Sequence, residues 1–133
     1  MKPKVIHVII EKSQDIFSGY STNVKGLTGS GDSVSEVKQA IVECMILLKD
    51  LKTDKSGILN GEYTIDYSFD TASMLDYFKG IITQTALSAR SGINQKQINH
   101  YYSGLRKPRA EQKKKIENTL HELGRELLQV HLI

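Results

Sequence analysis

The sequence predicts an α+β chain: a small βββαβ domain over residues 1–69, then an all-α helix-turn-helix domain over residues 70–133. Three observations lead there. Residues 4–22 and 62–68 alternate with the two-residue period of strands, residues 33–51 repeat at helical spacing between them, and from Asp70 onward the period is helical. The net charge changes sign at the same place. Residues 1–70 carry eight lysines, no arginine and ten acids, a net −2, whereas residues 71–133 carry ten Lys or Arg and five acids, a net +5. A basic half attracts polyanions and a mildly acidic half does not, so two modules with different partners are expected.

Residues 4–12 hold Val5, Ile6, Val8, Ile9 and Ile10, whose branched Cβ atoms favour a strand. Ser13, Gln14 and Asp15 make a tight turn into a second strand, residues 16–22, in which Ile16, Ser18 and Tyr20 alternate with Phe17, Gly19 and Ser21. The stretch VKGLTGSGDS has three glycines in six residues, which suits turns and one short edge strand. Asp32 and Ser33 suit a helix cap, and Ser33 with Glu36 forms a capping box. Val34, Val37, Ile41, Cys44 and Leu48 then fall on one helical stripe, widened by Ala40, Met45 and Leu51, and the helix runs to about residue 51. Residues 52–61 read as a loop, with Ile58 and Leu59 unexpectedly apolar. Tyr63, Ile65 and Tyr67 alternate with Thr64, Asp66 and Ser68 to close the sheet.

In the second half, Met74, Leu75, Phe78 and Ile82 repeat at helical spacing, with Gly80 as a C-cap. Thr83 caps the next helix, Gly92 stops it, Ile93 and Asn94 make the turn, and Asn94 caps a second short helix that ends at Gly104. Leu87, Ile93, Ile98 and Tyr101 are the expected core anchors. From Arg109 a long helix sets Ile116, Leu120, Leu123 and Leu127 on one stripe, with Gly124 as a point of bending and an apolar tail over residues 128–133.

The segment QTALSARSGINQKQINHYYS is therefore a helix-turn-helix by its spacing. The outward face of its second helix reads Asn94, Gln95, Lys96, Asn99 and His100, with no acid. Gln95 suits bidentate pairing with adenine and Lys96 suits guanine, while Asn99 and His100 suit bases or phosphates. Gln84 and Thr85, at a helix N-terminus, suit phosphate contact, as do Arg106, Lys107 and Arg109 in the loop that follows. The run Lys113, Lys114 and Lys115 reads as a solvated face. Ser88 and Ser91 are polar where such a crossing usually takes alanine and leucine.

Other chemistry is not expected. The lone Cys44 makes no internal disulfide, which suits a reducing cytoplasm, and it falls on the apolar stripe. No run approaches the roughly 20 apolar residues of a membrane helix, so no membrane partner is expected. Glu11 is the only carboxylate of the first strand, and Asp32, Glu36 and Glu43 are explained by capping and solvation. His7 reads as a packed strand histidine. The chain is thus expected not to be an enzyme and to use no cofactor or metal.

Residues 84–123, with Pro108 four residues after Gly104 and Ile116 and Leu120 beyond, resemble the Cro/repressor (XRE-type) helix-turn-helix. The first seventy residues resemble the HicB antitoxin domain: a strand pair, the GLTGSGDS turn, the capped helix SVSEVKQAIVECMILL and one more strand. Together the two cover nearly the whole chain and are similar to chromosomal type II antitoxins. That resemblance implies a partial ribonuclease-H-like first domain that binds and blocks a HicA-like messenger-RNA-cleaving toxin. It also implies a second domain that represses its own operon on double-stranded operator DNA, as a homodimer or higher homo-oligomer. The alternative reading is a transcriptional regulator whose first domain senses a ligand or protein and has no toxin partner.

Overall fold

Along the first strand Ile6, Val8 and Ile10 alternate with Val5, His7 and Ile9, and the even-numbered set is completely buried. This strand, β1 (Lys4–Ser13), is the spine of a four-stranded sheet. The computed structural model describes residues 4–51 and 57–133, which fall into two compact units, Met1–Tyr77 and Phe78–Ile133.

In the first unit β1 turns through Gln14, which takes a left-handed φ of 56°, into β2 (Ile16–Ser21), and β2 pairs with β3 (Thr28–Gly31). Both pairings are antiparallel. Helix α1 (Val34–Asp50) then carries the chain back across the sheet to β4 (Tyr63–Phe69), which lies parallel to β1 from Lys4↔Tyr63 to Ile10↔Phe69. A parallel pair requires such a crossover. The resulting order is β3-β2-β1-β4.

Val34, Val37, Ile41 and Met45 of α1 pack on the even-numbered face of β1, and each large aliphatic side chain buried there contributes about 1.5–3 kcal/mol. Ser33 Oγ accepts the Glu36 N–H at 3.1 Å, as a capping box requires, but Glu36 Oε2 accepts from the Asp32 N–H, one residue before the expected partner. Leu51, expected on the buried stripe, is the helix C-cap and is 68% exposed. Of the expected loop, Lys52 to Ser56 lie outside the described residues. Ile58–Asn60 form a 3₁₀ turn that drives Leu59 into the core, which accounts for its apolar character.

The glycines of the VKGLTGSGDS stretch serve two purposes. Gly26 takes a φ of 84° in the turn. Gly29 and Gly31, on the edge strand, let α1 approach closely. A Cβ on Gly29 would sit 2.9 Å from Ala40 Cβ and 3.1 Å from the Ile41 backbone nitrogen, and one on Gly31 would sit 2.6 Å from Glu36 Cβ. His7, expected to be packed, lies on the odd-numbered face of β1, which no helix of this unit covers among the described residues. Its side chain is about half exposed, with Nδ1 3.5 Å from Oδ2 of its register partner Asp66.

The expected fold class is corrected. The chain is a small α+β fold, a four-stranded mixed sheet with helices, and no separate all-α C-terminal domain is evident among the described residues. The helix assigned to open that domain, α2 (Thr71–Tyr77), is built into the sheet unit. The reason lies in Asp70 and Tyr77. Asp70 Oδ1 accepts the Ser73 N–H and caps α2, its Oδ2 accepts the Lys12 N–H at 2.9 Å, and its own N–H donates to the Ile10 carbonyl. At the other end, the Tyr77 ring stacks on Phe69 at 5.8 Å, and Lys38 donates from Nζ to the Tyr77 hydroxyl at 3.0 Å. Helix α2 is thus pinned at both ends to the sheet and to α1. The ribonuclease-H-like first domain expected over residues 1–69 is set aside with that division. Counted over the two compact units, Asp76 falls on the acidic side, leaving eleven acids against eight lysines (−3) up to Tyr77 and four acids against ten cations (+6) from Phe78 on.

The second unit consists of α3 (Gln84–Ser91), α4 (Gln95–Ser103) and α5 (Ala110–Leu128). Leu87, Ile93, Ile98, Tyr101 and Ile116 are buried. Helix α5 runs unbroken through Gly124.

Candidate nucleic-acid interface

Local hydrogen bonds fix the angle between α3 and α4. Thr83 Oγ1 accepts the Ala86 N–H and starts α3. Gly92, at φ 78°, ends it and returns its N–H to the Ser88 carbonyl. A side chain with a Cβ is strained in that left-handed conformation, so glycine is the natural residue there. Ser88 Oγ donates to the Ile93 carbonyl and Ser91 Oγ accepts the Ile93 N–H. The two serines that departed from the usual pattern therefore satisfy the backbone of the turn itself. Asn94 Oδ1 then accepts the Lys96 N–H at 2.8 Å and starts α4.

Behind α4, Ile98 and Tyr101 are buried, and Gln97 Nε2 donates to the Tyr101 hydroxyl at 2.7 Å. At about 100° per residue, this leaves Gln95, Lys96, Asn99 and Ser103 along the opposite side, and all four are exposed. His100 sits at the margin, half-buried. Ser103 was missed in reading the sequence because its serine carries no signal beyond its place one turn after Asn99. Its Oγ donates to the His100 carbonyl and helps close the helix at Gly104, whose φ is 82°.

The expected contact residues are not scattered. Gln95 Nε2 donates to Thr85 Oγ1 at 2.9 Å, joining the first turn of α3 to the first turn of α4. The first-turn N–H groups of a helix lack carbonyl partners within it and carry a partial positive charge, which suits an anion such as phosphate. Gln84 is half-buried beside Thr85. Asn94 is exposed, but its side-chain oxygen is committed to the cap, leaving its amide nitrogen to face outward chemistry. Arg106, Lys107 and Arg109 are all exposed around the buried Pro108, and the Arg106 N–H donates to the His100 carbonyl, holding the loop against the end of α4.

The electrostatics favour a polyanion. No Asp or Glu occurs between Asp76 and Glu111, while six Lys or Arg do. One of them, Arg90, is turned away: it lies on the other side of α3 and pairs with Glu126 of α5. Among the described residues no group of three His, Cys, Asp or Glu side chains gathers as a metal site would need, and no helix is long and apolar enough to cross a membrane. Compared with known protein families, curated proteins and solved structures, the chain matches none.

Proposed function

We propose that this chain is a sequence-specific DNA-binding regulator that places α4 in the major groove of duplex operator DNA. The observation that carries the reading is the acid-free outward row Gln95, Lys96 and Asn99, with Gln95 oriented by Thr85 and its apolar back held by Ile98 and Tyr101. Preorganised amides can pair bidentately with a base edge at little entropic cost, worth about 1–3 kcal/mol of discrimination each. Arg106, Lys107 and Arg109 supply the phosphate contacts that set register. The operator is palindromic and the protein works as a homodimer or higher homo-oligomer, since a single short helix reads too few bases.

In this reading the chain is a type II antitoxin of HicB type, acting in the cytoplasm by binding rather than catalysis. The first unit covers a HicA-like ribonuclease toxin. Support comes from its net charge of −3. The sheet face that no helix of the unit covers among the described residues adds to it, its strand positions holding Val5, Ile9, Ile16 and Tyr20 beside Glu11 and Asp66 and no Lys or Arg. Such a surface suits a basic protein.

Two experiments test the reading. Binding of the full chain to its own upstream duplex should exceed binding to a scrambled duplex and fall steeply with salt. Three cationic phosphate contacts per copy predict a slope of about −2.7 in log K against log salt; equal affinity for both duplexes would count against operator recognition. Co-expression with the product of a neighbouring short, basic reading frame should yield a co-purifying complex. Its absence would remove the toxin partner and leave the DNA-binding regulator.

A further inference from the structure

Strand β4 ends the sheet, and its far edge is open. The Lys4 N–H donates to the Glu62 carbonyl at 3.2 Å, and the Asp70 N–H donates to the Ile10 carbonyl at 3.0 Å. Along a strand the N–H and C=O of one residue point to the same side, and successive residues alternate sides. These two bonds therefore fix the phase of β4. Thr64, Asp66 and Ser68 turn their main chain to β1, whereas Tyr63, Ile65, Tyr67 and Phe69 turn theirs outward. Among the described residues no strand pairs with those outward groups, and no hydrogen bond from another segment reaches them.

Such an edge is a template for another chain, and proteins commonly blunt it with Lys, Pro, a bulge or a very short strand. Over its seven residues β4 has none of these, and its register with β1 is unbroken. The chain does close another edge. Where β2 stops short of the start of β1, the Asn23 amide takes the place of a strand. It donates to the Val5 carbonyl at 2.7 Å and accepts the His7 N–H at 2.9 Å. Beside the open backbone of β4 lies an apolar shelf: Tyr63, Ile65, Tyr67 and Phe69 pack on the core yet stay half-buried.

The charges of this strand select its occupant. Glu62 and Asp66 lie on the opposite side from the shelf, about 13 Å apart, and both are exposed. No Lys or Arg accompanies them on β4. A second copy paired antiparallel along the full strand would set Asp66 against Asp66 and Glu62 against Asp70. Like charges directly opposite one another destabilise a sheet. A foreign strand with Lys or Arg at those places gains instead. On the shelf side the Lys38 ammonium lies 4.5 Å from the Tyr67 ring centre, which disfavours a second cation there and favours apolar residues.

We propose that the β4 edge takes, as a fifth strand, an extended segment of a basic protein. In that segment apolar residues alternate with polar ones, and Lys or Arg recurs every fourth residue. Main-chain bonds supply the affinity and the alternate side chains the specificity. The inference deepens the reading of the first unit as the binder of a basic toxin, and rests on that reading for the class of partner.

The test is amide hydrogen exchange of the full chain with a blocked peptide, KVTVKVTVK, which carries the pattern in either direction. In the chain alone the N–H groups of Tyr63, Ile65 and Tyr67 are expected to exchange fast and those of Thr64, Asp66 and Ser68 slowly. Peptide at up to about 1 mM should slow the first three by about tenfold or more. The peptide EVTVEVTVE should not. Glu62→Lys with Asp66→Lys, both at exposed positions, should keep the circular dichroism of the native chain and reverse the preference. Three amides that stay fast with KVTVKVTVK would overturn the proposal. Their protection in the chain alone would also overturn it, since the chain itself or a second copy would then fill the edge. Equal protection by both peptides would overturn the basic partner. Because no toxin is present, each of these failures is distinct from failure of the toxin reading, which the co-expressed complex decides.

Discussion

Gln95 Nε2 and Thr85 Oγ1 are hydrogen-bonded at 2.9 Å across two helices, which fixes a long side chain before any ligand arrives. Gln95 is otherwise exposed, and leaving it free would add rotamer entropy to the cost of pairing with a base. Gln95→Ala is therefore expected to cost about 1–3 kcal/mol in operator binding and to relax preference at one base. Thr85→Val keeps the shape and removes the acceptor, so it should cost less. A double-mutant cycle by fluorescence anisotropy should find the two effects non-additive; strict additivity would mean the contact plays no part in recognition.

The bonds of Asp70 to Lys12 and Ser73 predict a stability effect within the first unit. Asp70→Ala removes the α2 cap and the hydrogen bond from the Lys12 N–H to Asp70 Oδ2. Loss of a cap costs about 0.5–2 kcal/mol, and loss of the part-buried hydrogen bond adds about 0.5–1.5 kcal/mol. Urea unfolding should show a lower midpoint for the first unit, with DNA affinity at saturating fold unchanged.

Tyr67 predicts how that unit responds to alkali. Its pKa is raised from the ordinary tyrosine value, first by burial and then by the neighbouring Tyr77 phenol. A phenol whose folded pKa exceeds its unfolded pKa, near 10, favours the folded state in its neutral form. The stabilisation is therefore complete below that unfolded value and is lost as pH rises through the raised folded value. Melting temperature should fall on the alkaline side, and Tyr67→Phe should shrink the fall. Lys38, whose ammonium lies 4.5 Å from the Tyr67 ring centre and 4.2 Å from that of Tyr77, holds the same cluster. Lys38→Ala should lower stability by about 0.5–2 kcal/mol.

Glycines of different surroundings should respond oppositely to alanine. Gly29→Ala and Gly31→Ala press a methyl against α1 at less than 3.0 Å and should each cost about 1–3 kcal/mol. Gly124→Ala meets nothing within 4 Å in the middle of α5 and should add about 0.5–1 kcal/mol. Thermal melts of the three variants decide this.

These contrasts show what the residues disclose by themselves. Thr83, Gly92, Asn94 and Gly104 act on groups within five residues of themselves, so the α3–turn–α4 segment could be read locally. The burial of Leu87, Ile98 and Tyr101 followed from a helical period. The allegiance of α2 could not be read, because it rests on Asp70 meeting Lys12 and Tyr77 meeting Lys38, separations of 58 and 39 residues. The same holds for Leu59, which looked misplaced until the sheet was assembled, and for Gly29, whose purpose is set by Ala40. The exposure of His7 depended on which face of β1 receives α1. Both faces of that strand are apolar enough for either answer.

Backbone amide chemical-shift mapping of the full chain, with its own upstream duplex added stepwise, tests the central claim most directly. The largest shifts are predicted at Thr85, Gln95, Lys96, Asn99 and Arg106, with the sheet unit and residues 127–133 little changed. Shifts concentrated on the sheet face, or none along α4 at saturating duplex, would contradict it.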